Sequence, residues 1–292
     1  MKRKYITPLL ASLLMLLYAC DKVEAPYLEL VEHHIDTGQN VVDTTYKRII
    51  LLEDFTGHKC VNCPEAALLA RQLSLARQGQ VVIIGVHAGY FATPDASGKY
   101  TADYRTAEGN ALHDYFGVMS YPTGLINRKP YNASLRLTPD KWEAAIDAAL
   151  QGEPEAFITL KNQWDEGTRK LQVKTKVKAL ADLTGPVNLT LCIIENDIVS
   201  PQKNNKASVG PVPDILDYKH KHVLRACING VWGEPINEGL DITKNAYYNF
   251  NHTFTLPSNW NAAHCEVVAF LTFTSGTRKD EVIQAAVKAI GE

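Results

Sequence analysis

The sequence predicts an α/β domain followed by an all-β sandwich domain. Three observations predict it. The apolar run Ile49-Ile50-Leu51-Leu52-Glu53-Asp54-Phe55 leads into Cys60-Val61-Asn62-Cys63-Pro64 and then into Glu65 to Gln78, a stretch with few helix breakers. From Lys47 to about Gly152, strand and helix patterns alternate. After Glu153-Pro154 only strand patterns with polar connections are evident. The predicted boundaries are 1–19 for a leader, 20–46 for a tether, 47–153 for the α/β domain and 154–292 for the sandwich.

The leader comes first. Lys2-Arg3-Lys4 is a basic start, and Ile6 to Ala19 is apolar but short of the roughly 20 residues of a membrane span. It ends in Leu17-Tyr18-Ala19-Cys20, which resembles the bacterial lipoprotein cleavage box. The expectation is cleavage before Cys20 and lipidation of that cysteine, the alternative being an ordinary signal peptide with an incidental cysteine. Several acyl chains would hold the body on a membrane without a spanning helix. Cleavage removes Lys2, Arg3 and Lys4 and no acid, so the formal charge moves from −2 to −5. That mild acidity argues against a nucleic-acid partner. Asp21 to Tyr46 is polar, carries Pro26 and Gly38, and reads as a tether.

In the α/β domain, Arg48–Phe55 is a buried strand, Cys60–Gln78 a helix started or interrupted near Pro64, and Gln80–His87 a second strand. Gly89–Asp103 is an insertion or loop, and Tyr104–Phe116 is helical. Gly124–Asn127 pairs with Tyr131–Leu135 in a hairpin. A helix from Thr138 or Asp140 to Leu150 presents Trp142, Ala145, Ile146 and Ala149 on one face. The order β-α-β-α-β-β-α is that of a thioredoxin-like domain. Val118 to Gly124 places Pro122 just before the third strand, where such domains keep a cis proline facing the CxxC.

In the second domain the strand candidates are Phe157–Trp164, Lys170–Leu180, Val187–Glu195, His222–Val231, Tyr247–Leu256, Cys265–Thr274 and Val282–Ile290, the last with a short helix as alternative. Lys170 to Val177 alternates, so one of its faces is solvated. Seven strands suggest an immunoglobulin-like antiparallel sandwich.

Four stretches carry a family resemblance: Leu51 to Pro64, Val86-His87-Ala88-Gly89, Tyr218-Lys219-His220-Lys221-His222-Val223-Leu224-Arg225-Ala226 and Asn229-Gly230-Val231-Trp232-Gly233-Glu234. They resemble the 28-kDa outer membrane protein family of Gram-negative lipoproteins. The resemblance implies an outer-membrane lipoprotein with a thioredoxin-like domain, anchored through Cys20. It does not give the side of the membrane.

The site candidates are Cys60 as attacking thiolate, Cys63 as resolving thiol and disulfide partner, Asp54 as a buried proton shuttle and Pro122 as a wall of the substrate groove. A cysteine at a helix N-terminus is favoured as thiolate. Lys59 adds positive charge beside Cys60, and His58 adds more when protonated. Asp54 lies six residues before Cys60, and burial would raise its pKa to suit proton transfer. Glu53 is its rival for the inward face. The expected chemistry is thiol–disulfide exchange with protein thiol or disulfide partners and no cofactor. The alternative is a non-catalytic surface lipoprotein, an adhesin or assembly partner, whose CxxC is a structural disulfide. A metal site from His58, Cys60, Cys63 and His87 is weighed against histidines packed beside a disulfide, the second being favoured. His220 and His222 are read as sharing one strand face. The pairing of Cys192, Cys227 and Cys265 stays open.

Overall fold

The computed structural model describes residues 46–291. The expected leader, Cys20 and the tether up to residue 45 lie outside the described residues. Strand β1 (Ile50–Thr56) and strand β2 (Val81–His87) pair in parallel, from Ile50 opposite Val81 to Thr56 opposite His87. Both are buried along their whole length, as parallel strands covered on two faces must be. Helix α1 (Cys63–Ala76) makes the crossover between them. Helix α2 (Ala107–Tyr115) begins at Thr106, whose side chain accepts the Gly109 N–H. Strand β3 (Thr123–Ile126) adds to β1 antiparallel, and helix α3 (Pro139–Leu150) follows.

The two helical layers sort by strand alternation. Ile50 and Leu52 of β1 meet Ala66, Leu73, Trp142 and Ile146 under α1 and α3. Leu51 and Phe55 meet Leu112 of α2 on the opposite face. Gly124 is needed on β3, because a Cβ there would overlap the Trp142 indole.

The hairpin expected after β3 does not form. Tyr131 to Ser134 closes a tight turn, with Asn132 and Ala133 at positive φ. The returning chain meets β3 at one bridge, Gly124 with Leu137. Beyond Leu137 the pairing cannot continue, because Thr138-Pro139 starts α3 and Pro139 has no N–H to donate.

The seven strand candidates of the second half are all strands: β4 (Ala156–Asp165), β5 (Lys170–Ala179), β6 (Val187–Glu195), β11 (Val223–Cys227), β13 (Tyr247–Thr255), β14 (Cys265–Phe273) and β15 (Val282–Ala289). Five short strands lie between them: β7 (Ile198–Val199), β8 (Gln202–Lys203), β9 (Asp214–Ile215), β10 (Lys219–His220) and β12 (Glu234–Pro235). A three-stranded sheet, β13-β5-β4, packs over Leu189, Leu191 and Ile193 of β6 and Val267, Ala269 and Leu271 of β14.

This sandwich is not a body apart from the α/β part, and the expectation of two independently packed domains is corrected. One large sheet runs β15-β14-β6-β11-β2-β1-β3, with β12 paired to β6. The junction is short: β11 meets β2 in parallel at Val223 and Gly85. Packing makes it firm. Cys192 and Ile194 of β6, Leu224 of β11 and Val268 and Phe270 of β14 share one core with Leu51, Phe55 and Ile84. Separating the halves would expose that core, at about 25 cal/mol per Å2 of apolar surface.

Candidate active site at the Cys60–Cys63 disulfide

Cys60 and Cys63 are joined in a disulfide. Helix α1 starts at Cys63, with Asn62 as its N-cap and Pro64 in its first turn. Cys60 sits one turn earlier, its N–H on the Gly57 carbonyl at 2.9 Å. The helix dipole expected at Cys60 therefore acts most directly at Cys63. The added positive charge is weaker than expected too. The Lys59 ammonium is held by Asp95 at 2.8 Å. Burial, then Lys59, lowers the His58 pKa, so that ring favours the neutral form.

Strand alternation settles the Glu53 and Asp54 question. Glu53 turns toward the α2 side and is gripped by Arg128 through two hydrogen bonds of 2.7 Å, both side chains being fully covered. Asp54 turns toward α1. It is buried, its Oδ1 has no hydrogen-bond partner, and desolvation raises its pKa from 3.8 to about 7. It lines a cleft of about 450 Å3 together with Cys63, Arg71, His87, Tyr218 and His220. The structure thus brings Asp54 to the inner cysteine.

Pro122 follows a cis peptide bond from Tyr121. Tyr121 and Pro122 line a second groove, of about 610 Å3, with Asn62, Ala66 and Leu69 of the CxxC helix region. Asp54 and Cys63 therefore border one hollow and Pro122 another, on either side of the start of α1, while Cys60 lines neither.

Cys60 and Cys63 are each only 2% accessible. The excursion between β6 and β11 covers them. Gln202 Nε2 donates to the carbonyls of Cys60 at 2.9 Å and Gly57 at 3.3 Å. The Lys203 N–H donates to the His58 carbonyl at 2.8 Å, and the Asn205 N–H to the Val61 carbonyl at 3.2 Å. The Asn205 amide also donates to the Asn62 side chain at 2.6 Å, which explains why Asn62 caps no helix N–H. Asp214, farther along, receives Lys99 at 2.6 Å and the Tyr100 hydroxyl. The sequence reading passed over these residues as a connection. The signal was length: connections beyond roughly 12–15 residues are usually functional.

The two cysteines are spent in the disulfide, and among the described residues no group of three or more His, Cys, Asp or Glu side chains is placed to hold an ion. His87 and His220 pack ring to ring at 5.5 Å, with Tyr104 against both. His220 Nε2 reaches Ser200 Oγ at 3.0 Å. Burial lowers the pKa of His220 to about 3 and that of His222 to about 4. The two do not share a strand face: His220 ends β10, and His222 stands at positive φ before β11.

The sequence model of the outer membrane protein Omp28 family matches residues 109–292. The match begins inside α2, so the CxxC lies outside it. No curated protein matches the chain. Among solved structures, HBP35 of Porphyromonas gingivalis superposes with a TM-score of 0.61 at 18% identity, over 85% of this chain and 77% of that one. At that identity the likeness is one of fold. A domain of the outer membrane lipoprotein Omp28 from Porphyromonas gingivalis matches at 19% identity over 47% of this chain and 89% of that one, with a TM-score of 0.31. The family match spans more than half of the sequence, and the chain accordingly belongs to the outer membrane protein Omp28 family and is a protein of the outer membrane.

Proposed function

We propose that the chain is a lipid-anchored lipoprotein whose first part is a thioredoxin-like unit carrying out thiol–disulfide exchange at Cys60 and Cys63, with an immunoglobulin-like sandwich fused to it. The observation that carries this reading is Asp54. A buried carboxyl with an unpartnered Oδ1 and a pKa near 7 is costly to the fold and suited to proton transfer, and it borders the same cleft as Cys63. From the oxidised state, a partner thiolate attacks Cys60 Sγ and forms a mixed disulfide. The Cys60–Cys63 bond breaks, and Cys63 leaves as thiolate and takes the proton of Asp54. A second partner thiol then attacks the partner sulfur, releasing Cys60 as thiolate and leaving the partner oxidised and the CxxC reduced. In reverse, Asp54 as carboxylate accepts the Cys63 proton while Cys63 resolves the mixed disulfide.

The test is a small organic disulfide added to reduced variants that keep one cysteine of the CxxC pair. Cys63→Ser should accumulate a mixed disulfide at Cys60, seen by mass, at a rate at least tenfold above the adduct at Cys63 in Cys60→Ser. Equal slow labelling of both would end the proposal. A second reading rests on the cover over both sulfurs: a non-catalytic adhesin or assembly partner with a structural disulfide. It predicts that the native disulfide stays closed in millimolar dithiol and that partner binding survives loss of both cysteines.

The lipid anchor is proposed from the box ending at Cys20. Cys20→Ala should release the protein from membranes or leave it unprocessed. A mature, membrane-bound chain with an unmodified Cys20 would exclude the anchor.

A further inference from the structure

We propose that Cys192 and Cys227 form a second disulfide, which closes the base of the excursion that covers Cys60–Cys63. The two residues are direct partners across β6 and β11. Their sulfurs stand 2.7 Å apart, well inside the roughly 3.5–4 Å of ordinary non-bonded contact. The backbone suits a bond. The Ile228 N–H donates to the Leu191 carbonyl at 2.7 Å, so the neighbouring pair is the hydrogen-bonded one. The Cys227 N–H is free of Cys192 and goes to Glu108 Oε1 at 3.4 Å. Cys192 and Cys227 therefore form the non-hydrogen-bonded pair, a class whose Cα atoms stand about 4.5 Å apart, at the close end of the disulfide range of about 4.4–6.8 Å. Cys265, at the far end of β14, is paired in register with Glu195 and is left as the odd thiol.

The chemistry is an ordinary two-electron exchange. One thiolate of the pair attacks an external organic disulfide, RSSR, and releases RS⁻. The other thiolate attacks the mixed disulfide, closes Cys192–Cys227 and releases a second RS⁻. RSSR gains two electrons and the two protons the thiols gave up. This must happen before burial, because the folded chain hides both sulfurs and pushes the Cys192 thiol well up through its contact with Cys227 and its desolvation. Once the fold closes, no thiolate reaches the bond. The consequence is local. Residues 193–226, the whole excursion carrying Gln202, Lys203, Asn205 and Asp214, become a loop tied at its base. The proposal stands whether or not Cys60–Cys63 turns over.

The test uses the full chain after refolding in a mixture of oxidised and reduced glutathione. It is denatured and alkylated without reductant, digested and mapped by mass. The expected result is a cross-linked peptide pair holding Cys192 and Cys227, two hydrogens lighter than the thiols, with Cys265 alkylated. The same cross-link should persist in a Cys60→Ser/Cys63→Ser chain. Full alkylation of Cys192 and Cys227, or a cross-link to Cys265, would overturn the proposal. Under native conditions a graded dithiol should open Cys60–Cys63 first and Cys192–Cys227 only once denaturant is added; the opposite order would also overturn it. Loss of the Cys192–Cys227 cross-link with Cys60 still reactive would leave the exchange reading intact, so the two fail separately.

Discussion

Gln202→Ala is expected to speed reduction of the Cys60–Cys63 disulfide roughly 10- to 100-fold. Gln202 gives the Cys60 carbonyl its shorter hydrogen bond, 2.9 Å from a buried amide against 3.4 Å from the Cys63 N–H, and it adds contacts to the carbonyls of Gly57 and Lys203. Removing the amide leaves the buried Cys60 carbonyl with only the longer Cys63 bond and takes one of two donors from the Gly57 carbonyl, at about 1–3 kcal/mol in all. That penalty falls on the covered state alone, since the lifted excursion gives those carbonyls to water. Each 1.4 kcal/mol raises the open fraction about tenfold. Where opening and closing are fast relative to attack, the reduction rate follows that fraction. A phosphine reductant in excess reads the rate directly, and unfolding by denaturant in parallel shows whether global stability changed. Equal rates in the two proteins, with wild type as fast as a small exposed disulfide, would show that the excursion is no barrier. The second reading of function then falls, because it rests on that cover.

Much of this arrangement was legible in the residues, and the misses share one cause. The strand before the CxxC and the seven later strands were written in local patterns, and the cis bond at Pro122 followed from its place in the thioredoxin-like order. Local patterns do not say what lies on each face. Val187 to Glu195 and Cys265 to Phe273 are nearly continuous apolar runs, while Lys170 to Ala179 alternates. The alternating strand is solvated on one face, as expected. The continuous ones are covered on both, which is the mark of a strand at the middle of a layered structure. That contrast argued against two free-standing domains. One face of β6 serves the sandwich and the other packs with β1 and β2. The cover was harder to foresee. Gln202, Lys203 and Asn205 act through two amide side chains and backbone N–H groups, which leave no periodicity. The position of Asp54 was only half legible: the alternation of β1 guaranteed that Glu53 and Asp54 face opposite ways, and Arg128, remote in sequence, decided which became the ion pair.

Asp54→Asn is expected to stabilise the protein at pH 8 while slowing exchange. The sign follows from linkage. Burial raises the folded-state pKa of Asp54 to about 7, against 3.8 for the free side chain. Between those values the folded chain holds a proton that the unfolded chain has lost. Wild-type stability from this group is therefore full below about pH 4 and falls as pH rises to about 7. The whole span corresponds to on the order of 4 kcal/mol. Asparagine, nearly the same shape and never charged, avoids that loss. The difference in unfolding free energy, variant minus wild type, should thus be smallest near pH 4, grow up to pH 7 and stay level above it. The buried histidines titrate alike in both proteins and cancel in the difference. Exchange should move the other way. Asp54 as carboxylate accepts the Cys63 proton, so resolution of a mixed disulfide should rise through about pH 7 in wild type. The variant should lose that inflection and run roughly 100-fold slower, within the usual range for a lost general base. A stability gain with an unchanged rate profile would reduce Asp54 to an unpaired buried acid. The reading would then fall to the disulfide alone, which both functions share.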